Sequence, residues 1–449
     1  MTHRQHALSV GEKAGYGAGD FGFNLYWTTL SSFLMAFYTD VFGLAAAAAG
    51  TMLLVTRIVD AFTDPVMGAV ADRTESRFGK FRPYLLFGGL PLAIAGVLAF
   101  TTPELTDSGK LIWAYATYTL LMLCYTVVNT PYSALSGVMT ADSQTRTTLI
   151  TVRFIFAFAC GAFVNKFTMP LVAYFGQGDE AHGWQIVMGL YGIAAVLMFW
   201  ISFATTRERI RPIVVESSNP RQDIADLLKN KPWLILFLLS MLVMMTVTMR
   251  GGSAYYYFTY HIERPELLGD YLLTQSLAYA AGAVAAPFLT RYIDKARLLM
   301  LLMGIVGVLS IGFCFVPADQ IELIFTFNIL ISLALGPKSP ITWSMYADSA
   351  DYSEWRFGRR ATAMTFAAAT FAQKLGASIG SAAMLWILAG IGYVAKQAQT
   401  DASQQGINLL QTLAPGVFAI IAMIVVSQYS LTRDRLAAMQ EELEQRDET

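Results

Sequence analysis

The chain has 449 residues, of which 55% are hydrophobic and only 14% charged, with a mean hydropathy of +0.48 and a net charge of −1. Soluble domains carry about 25% charged residues, so the composition excludes an ordinary soluble globule and points to a multispanning membrane chain. The near-zero net charge removes the electrostatic basis for nucleic-acid binding, and the three cysteines, Cys124, Cys160 and Cys314, lie in apolar runs without metal-site or disulfide spacing.

From the N-terminus, Met1 to Lys13 is polar and lacks the short apolar core of a signal peptide, so the first helix is expected to stay in the mature protein. Twelve apolar segments follow, at 18–43, 46–71, 83–102, 110–136, 149–175, 184–205, 233–260, 269–290, 297–317, 321–347, 361–390 and 406–429. Each approaches the roughly 20 residues needed to span hydrocarbon. Lipid leaves no partner for unpaired backbone groups, so these segments predict helices, and no ten-residue barrel alternation is present. The fold class expected is an all-α membrane protein of twelve transmembrane helices.

Basic residues set the orientation. The loop after the second segment holds Arg73, Arg77, Lys80 and Arg82; the loop after the sixth holds Arg207, Arg209, Arg211, Arg221, Lys229 and Lys231. Arg291, Lys295 and Arg297 follow the eighth, and Arg356, Arg359 and Arg360 the tenth. The odd-numbered loops hold almost none, which places both termini in the cytoplasm. The polar stretch 206–232 reads as a linker between an N-terminal half, 1–205, and a C-terminal half, 233–430, with a charged tail at 431–449. The tail reads as a solvated amphipathic helix.

Charges inside the apolar segments carry the chemistry. Asp60 and Asp64 lie four residues apart in the second segment, on one helix face. A carboxylate at mid-membrane costs about 2.5–3.5 kcal/mol on insertion scales. Two of them require a cation, a partner or water, which points to an ion site and to transport. Hard carboxylate oxygens suit Na⁺; alternatively, two like charges in low dielectric favour sharing a proton. Arg57, three residues earlier, offers the other reading, an internal salt bridge with no transported ion.

The motifs Tyr38-Thr39-Asp40, Arg57-IVDAFTD-Pro65, Asp72-RTESRFGKFR-Pro83, Tyr125-TVVNTP-Tyr132 and Asp348-SADYSE-Trp355 occur in this order. Together with six plus six helices, they resemble the glycoside–pentoside–hexuronide:cation symporter family of the major facilitator superfamily, most closely its xyloside- and glucuronide-type members. The resemblance runs from about Glu12 to the end of the twelfth segment. It implies a bacterial inner-membrane carrier, commonly monomeric, that needs no cofactor beyond Na⁺ or H⁺ as coupling ion.

It also implies site residues. The coupling-ion site corresponds to Asp60 and Asp64, which would be the metal ligands if the ion is Na⁺, with Tyr125, Thr126 and Asn129 from the fourth segment. Some members carry an aspartate at the position of Asn129. For the sugar, the first segment offers Asp20 and Asn24, the latter standing where melibiose-type members have a sugar-binding aspartate. An amide both donates and accepts and does not repel an anionic sugar. Asp20 has a structural ion pair as its alternative. Arg153 and Lys374 match the family's basic residues of the fifth and eleventh segments; with helix 5 expected to begin near Arg153, snorkelling to the interface is that arginine's alternative. Ser133 stands where melibiose-type members stack a tryptophan on the sugar, with Tyr132 beside it as a substitute.

In the tenth segment, Gly336-PKSPIT-Trp343 places Lys338 between two prolines, at a place where a broken helix can line a cavity. Lys338 is expected either to meet an acidic sugar or to act structurally, and Trp343 either to stack on a pyranose or to pack. The loops Asp72-RTESRFGKFRP and Asp351-YSEWRFGRR are expected to charge-pair across the halves during alternating access, or simply to mark topology. Gly17-AGDF-Gly22 satisfies a dinucleotide pattern but enters an apolar helix with no strand before it, so that reading is rejected. The four histidines are scattered. The expected function is import of a glycoside, pentoside or hexuronide with a monovalent cation. The alternatives are an uncoupled facilitator of the same fold and an integral-membrane enzyme acting on a lipid-linked sugar.

Overall fold

The computed structural model describes residues 8–140, 143–209, 227–357 and 362–447, all helix, turn or loop with no strand among them. It divides into two compact units, Met1–Val214 and Val215–Thr449. The first unit holds α1 (Val10–Ala36), α2 (Ala46–Arg73), α3 (Arg82–Ala99), α4 (Asp107–Met139), α5 (Ser143–Gly176) and α6 (Glu180–Thr205). The second holds α7 (Lys231–Tyr256), α8 (Leu268–Tyr292), α9 (Lys295–Phe313), α10 in two pieces (Ile321–Leu335 and Lys338–Phe357), α11 (Thr362–Gly390), α12 in two pieces (Asp401–Gln411 and Leu413–Ser427) and a terminal α13 (Arg433–Asp447).

Each unit packs in the same pattern. In the first, α1 lies against α5 and α6, α3 against α4 and α6, and α2 against α4. In the second, α7 lies against α11 and α12, α9 against α10 and α12, and α8 against α10. Both lead helices end in a π-turn, Phe37–Val41 after α1 and Tyr257–His261 after α7. Such turns are rare and recur at functional places.

Among the described residues, eleven helical stretches are long and apolar enough to cross a membrane. The twelfth of the expected spans, α1, has the length but not the hydropathy, because Gly15, Gly17, Gly19, Asp20, Gly22 and Asn24 dilute its first half. Those glycines explain the rejected dinucleotide pattern. A Cβ at Gly19 would stand 2.5 Å from the Tyr132 ring, and one at Gly17 2.6 Å from Phe156. The residues are small so that α4 and α5 can close onto α1. Large apolar side chains point outward, as in Phe62 at 73% and Phe315 at 80% exposure, which suits a lipid surface and not water.

Two ends are tied within their units. The Glu208 carboxylate, just past α6, accepts from the backbone N–H groups of Lys80, Phe81 and Arg82 at 2.8, 2.7 and 3.0 Å, capping α3. Orphan N–H groups at a helix start favour an anion. The tail helix α13 is amphipathic as expected, with most of its described side chains exposed; one side is held by the Trp355 indole, which donates to Glu442 at 2.7 Å, and by the buried Met439.

Candidate functional site

The i, i+4 spacing on α2 does bring Asp60 and Asp64 to one place, facing α4. The Thr126 hydroxyl lies 2.9 Å from Asp60 Oδ1 and 3.0 Å from Asp64 Oδ1. The Asp60 side chain is fully buried. A threonine hydroxyl has one proton. It can donate fully to only one acid at a time, so the two carboxylates compete for a single hydroxyl proton. Arg57 Nη1 approaches Asp60 Oδ2 only to 3.6 Å, beyond hydrogen-bonding distance, and makes no hydrogen bond. Its guanidinium also lies 5.2 Å from the Trp27 ring. The salt-bridge alternative is therefore a loose contact.

Of the other expected ion-site residues, Tyr125 stands one position before Thr126 and packs its ring on Phe23 and Trp27. The Asn129 side chain makes no hydrogen bond among the described residues. Nor does any group of three or more His, Cys, Asp or Glu suited to a metal occur among them. Two carboxylates and a hydroxyl present hard oxygen donors at one place.

The second cluster of the first unit joins α1 to α5. Arg153 Nε donates to Asp20 Oδ1 at 2.7 Å. Asn24 Nδ2 donates to the Asp20 carbonyl at 2.9 Å and approaches Asp20 Oδ2 at 3.4 Å. Helix α5 begins at Ser143, ten residues before Arg153, which corrects the expected start near that residue. Snorkelling is overturned with it, since the guanidinium turns inward to Asp20 and sits 5.1 Å from the Tyr132 ring. Tyr132 is overturned as a stacking platform for a sugar. It is wholly buried, one face stacks on Tyr16 at 4.8 Å, and its hydroxyl donates to the Tyr16 carbonyl.

In the second unit, α10 breaks at Gly336–Pro337 and Lys338 starts its second piece. A Cβ at Gly336 would meet the Tyr279 carbonyl oxygen at 2.3 Å, so α8 and α10 touch backbone to backbone at the break. Lys338 is 9% exposed. Its ammonium lies 3.8 Å from Met244 Sδ and 5.9 Å from the Tyr279 ring centre, with no carboxylate partner among the described residues. Trp343 is half-buried against Tyr346, and Lys374 is half-buried on α11. The sequence reading missed Arg250 on α7, which is 1% exposed and donates to Asn328 Oδ1 at 2.8 Å. A lone arginine in an apolar run was the available signal.

The first basic loop finds its acid, Glu208, inside its own unit; part of the second, 358–361, lies outside the described residues. Two six-helix units with acids and bases buried in lipid-spanning helices define a multi-pass membrane carrier. The chain belongs to the MFS/sugar transport protein family, whose sequence profile matches residues 15–433. It is 39% identical to the inner membrane symporter YicJ of Escherichia coli K12, covering 98% of this chain and 96% of that one. It is 34% identical to the isoprimeverose transporter of Lactiplantibacillus pentosus, covering 94% and 89%. A crystal structure of an inward-facing bacterial homologue of the human lysosomal transporter Spinster shares the fold at a TM-score of 0.68 and 14% identity, covering 94% of this chain and 95% of that one.

Proposed function

We propose that the chain imports a glycoside, pentoside or hexuronide across the inner membrane, each solute accompanied by one monovalent cation, Na⁺ or H⁺. The observation that carries this reading is the single Thr126 hydroxyl held between the Asp60 and Asp64 carboxylates. The first unit would bind the cation at Asp60, Asp64 and Thr126, with Tyr125 and Asn129 bordering it. Asp20, Asn24 and Arg153 would hold sugar hydroxyls, the carboxylate and amide oxygens accepting and the guanidinium and amide nitrogens donating. Within the second unit, Lys338, Trp343 and Lys374 are the candidate solute-contact residues. A buried ammonium without a carboxylate favours an acidic sugar as the second partner over a neutral one.

The test is uptake of labelled sugars into proteoliposomes with and without an imposed Na⁺ or H⁺ gradient. Wild type should concentrate sugar only when a gradient is present. Asp60→Asn and Asp64→Asn should each abolish accumulation while inserting normally. Accumulation at the wild-type level by both variants refutes the ion assignment. Equilibration without accumulation by wild type would mark a facilitator, and conversion of substrate in detergent an enzyme.

A further inference from the structure

Arg250 is the most deeply buried cation of the second unit, and no carboxylate among the described residues pairs with it. One guanidinium nitrogen, Nη1, has no hydrogen-bond partner. An apolar side chain of similar volume would be less costly at such a place, so the charge must serve something other than stability.

Its hydrogen bonds show what it holds. Arg250 Nη2 donates to Asn328 Oδ1 on the first piece of α10 at 2.8 Å. Asn328 Nδ2 donates to the Tyr271 carbonyl on α8 at 2.9 Å. The Tyr271 hydroxyl accepts from Gln411 Nε2 on α12 at 2.8 Å. Gln411 Oε1 accepts from the Ser253 hydroxyl at 2.5 Å, which returns to α7 three residues after Arg250. The ring closes through four helices. Eight residues beyond Asn328, at Gly336, α10 meets α8 backbone to backbone and breaks, and Lys338 follows. The first piece of α10 is thus held at its middle by the ring and at its C-terminal end by the glycine crossing. The direction in which the break presents Lys338 depends on both.

We propose that Arg250 is a positioning residue for solute binding: through Asn328 it sets the first piece of α10, and so the placement of Lys338 and Trp343 at the break. Arg250 itself touches no solute. This rests on the reading above that those two side chains meet the solute, and the experiment separates the two claims.

Purified protein in nanodiscs is assayed three ways: affinity for a glucuronide and for its neutral glucoside, affinity for Na⁺ and H⁺, and thermal unfolding. Arg250→Met should unfold no earlier than wild type and keep its cation affinity, while affinity for the preferred sugar falls by about tenfold or more, the scale expected when a binding group is displaced by about an ångström. Asn328→Leu should reproduce that loss, and Arg250→Lys, which can still donate to Asn328, should recover part of it. Sugar affinity within twofold of wild type in Arg250→Met overturns the proposal. So does a parallel fall of cation affinity and melting temperature, which is the mark of a merely structural arginine. If Arg250→Met does not fold, Asn328→Leu and Arg250→Lys decide by the same criteria. Lys338→Met reports on the other claim. Unchanged affinity for both sugars there removes Lys338 from the solute site, whatever the Arg250 variants do.

Discussion

On the proposed reading, the hydroxyl shared by two acids is the key to cation coupling. Thr126 has one proton and two carboxylate neighbours, at 2.9 and 3.0 Å. Replacing it with valine keeps the shape and removes the hydrogen bond, which to an ionised partner contributes about 1.5–3 kcal/mol. Thr126→Val should therefore weaken cation affinity by about ten- to a hundredfold, read by Na⁺- or pH-dependent sugar binding, with little change in melting temperature. Unchanged coupling in that variant would move the ion elsewhere. The acids themselves were legible as charges in an apolar run. Their bridge was not, because threonine is common in such helices and only the meeting of α2 with α4 gives this one a task. Tyr132 shows the opposite failure. Its aromatic ring suggested a sugar platform, yet Tyr16 and Arg153 already occupy its surroundings.

At the level of helices, the devices are close approaches and breaks. The first half of α1 trades hydropathy for contact, with small residues wherever α4, α5 and α6 press on it. Gly19→Leu should overpack against Tyr132 and cost about 1–3 kcal/mol, seen as a lower melting temperature in detergent. Gly189→Ala on α6, where a Cβ meets nothing within 4 Å, should be neutral and serves as the control. Apolar length located the helices well, since lipid demands it. The prolines around Lys338 announced the break in α10. The start of α5 was misplaced because its first turn is polar and long helices overrun the hydrocarbon. The Glu208 cap left no trace in the sequence, since it binds backbone N–H groups that every residue possesses.

Across the whole molecule, charge is divided unequally. Around the α1, α2 and α5 sites, Asp20, Asp60 and Asp64 lie with Arg57 and Arg153. The second unit carries Arg250, Lys338 and Lys374 within its spans, and neither α7 nor α11 contains an acid. On the proposed reading, the cation and the sugar are both ligands of this one chain. Because two ligands bound to one protein share a coupling free energy, each should tighten the other by an equal factor. The division into halves was readable from loop charge and from the polar stretch near the middle of the chain. The matching helix-to-helix pattern of the halves was not, since apolar length locates a helix but does not say which neighbours it packs on. That pattern has a practical consequence. Each set of six helices completes its own core, caps and hydrogen-bond rings, so the peptide bond joining them is dispensable once the chain is inserted. A protease site placed within 210–226 and cut in the membrane should yield two fragments that co-purify and still accumulate sugar. Loss of uptake on clipping would mean that covalent continuity itself transmits the stroke.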